Sequence, residues 1–205
     1  MDKLKNIFKV NNRVFVFLLC IAILGILFGS ILPIFLNVDD KRMVSEYLLS
    51  FSSYIKSNFD FLMFLKNGLL SDSLFLIIIW LLGVSIIGVP IILLLFFYKC
   101  FVIGFSMSSI IINYGFKGIL FSFIYIFPHR VISVFLYIVL SSFSLLFSIK
   151  LLFFILRKTD FNIRVSFRKY LCVFLICFFV DFLMVLYESF VNPHLLRFVF
   201  NLLGI

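Results

Sequence analysis

"VFVFLLCIAILGILFGSILPIFL", residues 14–36, contains no charged side chain. At 1.5 Å per residue a helix of this length extends about 35 Å, more than the roughly 30 Å hydrocarbon thickness of a bilayer. A basic segment (Lys3, Lys5, Lys9, Arg13) precedes it, as in a signal peptide. The run is too long for a signal-peptide core and ends without a small-residue cleavage site, so it is read as a retained span. "FLLC", residues 17–20, is not read as a lipoprotein site, because the apolar run continues well past Cys20.

The rest of the chain follows this pattern. Of 205 residues 64% are hydrophobic and 13% charged, far from the balance of a soluble domain. An all-α integral membrane protein forming a single membrane domain is expected. The net charge of +9 resides mainly in two blocks, residues 3–13 and 157–169, each beside an apolar run. That distribution points to membrane orientation and contact with the lipid bilayer, not to nucleic acid. The 32 phenylalanines suit a lipid-facing surface. Cys20, Cys100, Cys172 and Cys177 lie in or beside apolar runs without metal-site spacing and read as small hydrophobes.

Five spans are expected, at about 14–36, 74–98, 100–115, 131–156 and 170–191. The second contains "GVSIIGVP", residues 83–90, where Gly88 allows close helix approach and Pro90 predicts a kink. Lys99 alone separates the second span from the third, which predicts a tight hairpin there. Residues 118–127 make only a half-length helix, re-entrant or interfacial, ending at Pro128. In the outer loop, 37–73, Met43, Val44, Tyr47, Leu48, Phe51, Tyr54, Ile55, Phe59 and Leu62 recur at helical spacing opposite serines and charges, which predicts an amphipathic helix.

Lys and Arg set the orientation. The N-terminus and the loop 157–169, with Arg157, Lys158, Arg164, Arg168 and Lys169, belong in the cytoplasm. The loop 37–73 sets four cations against five acids and belongs outside. An even number of crossings must then separate the two basic blocks, which four spans provide and a fifth at 118–127 would break. The C-terminus is expected outside.

Few residues carry a chemical signal. Gly25 and Gly29 form a G-x-x-x-G step that suits either dimerisation or packing within the chain, and Gly104 with the serines after it forms a second small-residue surface. Asp181 lies mid-span, where an ionised carboxylate costs about 3 kcal/mol. It must be neutralised, paired or turned to a polar interior, and Glu188 shares its face. His129, beside Pro128 and Arg130, reads as a hydrogen-bonded structural residue at a helix break. There is no phosphate loop, H-E-x-x-H, G-x-S-x-G or facing aspartate pair. No catalytic residue, cofactor or metal is expected.

The series "LLGVSIIGVPIILLLFFYKCFVIGFSMSSIIINYGFKGILFSFIYIFPH", residues 81–129, resembles the stage II sporulation protein M family of endospore-forming bacteria. The matching positions are Gly88, Pro90, Lys99, Gly104, Phe105, Gly115, Gly118 and Pro128. Cys100 stands where the family tends to have glycine, Met107 and Ser108 replace a small pair, and Arg130 departs from a Pro-His-Gly break. The resemblance implies a non-enzymatic membrane protein needed for engulfment, acting with the wall-degrading stage II sporulation proteins D and P. Such a scaffold would recruit those partners to the septum, and a homo-oligomer is expected. The competing expectation is a permease or channel subunit with a polar path near Asp181 and His129.

Overall fold

A computed structural model describes residues 12–57, 60–85, 87–125, 127–156 and 162–203. Its helices are α1 (Asn12–Phe35), α2 (Val38–Ser57), α3 (Phe61–Gly83), α4 (Gly88–Tyr114), α5 (Phe116–Tyr125), α6 (Phe127–Ile155) and α7 (Ile163–Leu203). Among the described residues no strand occurs. Five helices, α1, α3, α4, α6 and α7, are long and apolar enough to cross a bilayer. Helices suit that medium because their backbone groups are satisfied within the segment. The protein is therefore an all-α, multi-pass membrane protein. Lys3, Lys5, Lys9, Arg157 and Lys158, used for the orientation, lie outside the described residues.

Four of the expected spans are redrawn, the last beginning at Ile163 inside the expected loop 157–169 and its helix running on to Leu203. There is no hairpin at Lys99: α4 runs unbroken from Gly88 to Tyr114, and the break lies before it, after Gly83. The amides of Val84 and Ser85 close the end of α3 onto the Leu81 and Leu82 carbonyls. Pro90 falls in the first turn of α4 and makes no mid-span kink, because first-turn amides have no partner within their helix to lose. Upstream, α3 begins at Phe61 and not near residue 74. Asp60 starts it, its carboxylate accepting from the amides of Leu62 at 3.0 Å and Met63 at 3.4 Å. The stretch 61–73 thus belongs to a helix long and apolar enough to span, and α2 is the described helix between it and α1.

The half-length element is present as α5, ten residues or about 15 Å long, too short to span. Gly115 turns the chain into it at φ 59° and donates its amide to Ile111 O at 2.8 Å. A side chain at Gly118 would press on the backbone of Ile110 and Ile111, so α5 folds back against the end of α4. Pro128 does not end α5; it stands in the first turn of α6, which starts at Phe127 and not at Val131.

α1 shows how a lipid-facing helix joins the bundle. It buries a single narrow stripe, Leu18, Ala22, Gly25, Gly29 and Pro33, against α4. A Cβ on Gly29 would strike the Phe101 carbonyl, and one on Gly104 the Ile26 carbonyl. The glycines therefore bring the α1 and α4 backbones into contact within one chain, and that use occupies the G-x-x-x-G face. α6 is the central helix. Ser133, Ser141, Ser142, Ser144 and Ser148 are all fully buried on it, small enough for close packing. At one end of the bundle Ser148 donates to Ser85 O at 2.7 Å, and Tyr170 bonds Ser144 at 2.8 Å and Trp80 O at 2.7 Å. The apolar core includes Leu76, Ile79, Phe96, Tyr137, Leu140 and Val173.

Candidate functional site

Toward the other end, five ionisable side chains from four helices converge inside the bundle. Asp72, midway along α3, is buried and forms an ion pair with Lys99 of α4 at 2.7 Å. Arg130 of α6 stands 3.7 Å from the same carboxylate, and His129 Nε2 3.8 Å from it. His129 Nδ1 lies 3.2 Å from Glu188 of α7, within ion-pair reach but not aligned as a hydrogen bond. Ser133, one turn along α6, places its hydroxyl 3.4 Å from His129 Nε2.

Each position has a local cause. The α3 register set by the Asp60 cap turns Asp72 inward on the same face as Phe75 and Ile79. Lys99 points inward because α4 is continuous; its ammonium stands 5.2 Å from the Phe75 ring centre and 5.7 Å from that of Tyr137. Those ring faces add attraction where water is scarce. His129 and Arg130 reach the cluster because α5 returns the chain into the bundle before α6 begins.

A cavity of about 500 Å³ adjoins this cluster. Lys99, His129, Arg130 and Glu188 form its charged wall, and Ser71, Ser106 and Ser109 add hydroxyls. The apolar face of α2 lines it as well, with Met43, Val44, Tyr47, Leu48 and Phe51. The predicted amphipathic helix thus exists, and its apolar residues face the cavity. α2 rests against α4 and α7.

The structure brings two of the sequence-derived candidates, Lys99 and His129, to this site. Gly25, Gly29 and Gly104 serve the α1–α4 contact; Gly88 and Pro90 start α4. Asp181 is fully buried on α7, and neither of its carboxylate oxygens has a hydrogen-bond partner among the described residues. His129 and Arg130 meet Asp72, and His129 also Glu188. Asp72 was missed, because residues 37–73 were read as an outer loop. The readable signal was Asp60 as a helix cap before an apolar run.

These features define a polytopic helical membrane protein whose interior holds an ion-paired cluster beside a cavity faced by an amphipathic helix. Residues 13–193 match the family model described as Stage II sporulation protein M, and the chain belongs to that family. Searches of curated proteins and of solved structures give no match.

Proposed function

We propose that this sporulation-family protein is a non-enzymatic scaffold of the engulfment machinery. It gathers peptidoglycan-degrading partners, stage II sporulation proteins D and P in the family resemblance, at the septal cytoplasmic membrane. The N-terminus lies in the cytoplasm, α2 and the C-terminus outside. The observation that carries this reading is the self-paired cluster. Asp72 and Glu188 answer Lys99, Arg130 and His129 from other helices. Such pairing fixes α3, α4, α6 and α7 relative to one another, while Arg42 and Glu46 of α2 remain exposed for contact. A rigid bundle presenting an external helix suits assembly better than turnover.

The test is co-purification from sporulating cells. Tagged protein is expected to carry wall hydrolases with it and to lose them when exposed α2 residues such as Arg42 and Glu46 are exchanged for the opposite charge. Unchanged capture by that variant would remove α2 from the interface, and no capture by the native chain would end the scaffold reading.

A permease or channel subunit is the second reading, and the unpartnered carboxylate of Asp181 favours it. If Asp181→Asn abolishes a measurable solute or ion flux and engulfment with it, while partner recruitment persists, the scaffold reading loses. Liposomes that conduct nothing while the same protein captures the hydrolases would remove the permease.

A further inference from the structure

The cavity between α2 and the charged cluster has the composition of an amphiphile site, with one apolar wall and one charged wall. Its volume of about 500 Å³ falls within the range of ligand pockets. The charged wall holds two permanent cations, Lys99 and Arg130, against one carboxylate, Glu188. Asp72, which serves both cations, is not among the groups that line the cavity, so at the cavity surface two cations meet one carboxylate although the cluster as a whole is charge-balanced.

A second observation is independent of charge. Ser109 is 4% exposed and lines the cavity, yet its hydroxyl has no hydrogen-bond partner among the described residues. Ser142 and Ser189 satisfy theirs on the preceding turn, donating to Ile138 O at 2.7 Å and to Val185 O at 2.9 Å, whereas Ser109, like Ser122 and Ser141 away from the cavity, does not. A buried hydroxyl left without an acceptor costs free energy that a bound oxyanion would return. On the α2 side Met43 and Tyr47 are 67% and 71% exposed, so the cavity is open where an apolar tail could leave it.

We propose that this cavity binds one anionic phospholipid. Its phosphate lies against Arg130, Lys99 and Ser109, and its acyl chains lie along the apolar faces of α2 and α4, past Leu48 and Val102. Guanidinium and ammonium groups give phosphate charge-assisted hydrogen bonds, strongest where water is excluded. The occupied site would hold α2 down on the bundle and make its position sensitive to lipid composition. The inference does not depend on the scaffold reading.

Native mass spectrometry of the full chain, released from detergent with phosphatidylglycerol or phosphatidylcholine added, tests the proposal. The native protein is expected to keep one phosphatidylglycerol under activation that strips phosphatidylcholine. Arg130→Gln should lower that retention about tenfold. Leu48→Trp, which fills the cavity from α2 and leaves every cation in place, should lower it similarly. Equal retention of the two lipids, or variants that match the native chain, would overturn the proposal. Displacement of the lipid by an equal concentration of glycerol phosphate would also overturn it, marking a site for a soluble phosphate. A readout without variants uses phosphatidylglycerol carrying a photoreactive acyl chain. Labels are expected on residues 43–51 and 102–110, and labels confined to outer positions of α1 such as Phe17 and Leu24 would contradict it.

Discussion

Lys99 of α4 and Asp72 of α3 meet at 2.7 Å inside the bundle, and the same carboxylate also faces Arg130 and His129. One acid thus joins three helices. Breaking a buried pair from one side leaves an uncompensated charge, which costs roughly 3–5 kcal/mol. Asp72→Asn and Lys99→Met should each lower the thermal midpoint of the purified protein, and the double variant should regain much of the loss. Simple addition of the two effects would show that the residues do not act as a pair.

The α1–α4 contact makes a different prediction. Because Gly29 and Gly104 let the helix backbones touch, Gly29→Leu or Gly104→Leu should destabilise the monomer by about 1–3 kcal/mol or more. If the G-x-x-x-G step served dimerisation instead, Gly29→Leu would dissociate a dimer and leave the monomer's unfolding transition unmoved. Size-exclusion chromatography combined with thermal unfolding separates the two outcomes.

Pro90 offers a test with a near-zero expectation. In the first turn of α4 its missing amide hydrogen removes no helical bond, so Pro90→Ala should change stability by no more than about 0.5 kcal/mol. A large stabilisation in the unfolding midpoint would instead indicate a strained proline within a span.

How far the sequence could be read follows from these residues. The number of spans was legible, because uninterrupted apolar length and the basic blocks are one-dimensional signals. The half-length α5 was legible for the same reason. The ends of α3 and α4 were not. A lone Lys99 between apolar runs looks like a loop until Asp72, distant in sequence, is seen to neutralise it. Asp72 was hidden in turn by the acidic character of the segment before it. The amphipathic period of α2 could be read, but its apolar face could have met lipid, protein or a cavity. Of the candidate site, His129 and Lys99 were visible as exceptions in oily sequence, and their partners emerged only from the packing.

Orientation can be checked by single-cysteine labelling in a background lacking the native cysteines. Glu46 and Lys150 are both exposed side chains, on α2 and near the far end of α6. A membrane-impermeant thiol reagent applied to intact cells should modify Glu46→Cys and spare Lys150→Cys until the membrane is opened. The opposite pattern would invert the proposed topology.

Asp181 separates stability from function. Its side chain is fully buried and neither oxygen is hydrogen-bonded among the described residues, a condition that costs about 1–3 kcal/mol or more relative to an apolar side chain. Neighbouring Cys177 and Val185, one turn away on either side, are buried too, so Leu at 181 would meet an apolar helix face. Asp181→Leu is therefore expected to raise the thermal midpoint, whereas Asp72→Leu, which strips Lys99 of its partner, should lower it. The functional outcome for Asp181→Leu then discriminates between the readings. A scaffold should keep its partner capture in the stabilised variant. A permease should lose flux while becoming more stable, because a carboxylate retained at such a cost would be the group its substrate ion uses. A lower midpoint for Asp181→Leu would show instead that the carboxylate is held by an interaction that its present surroundings do not provide.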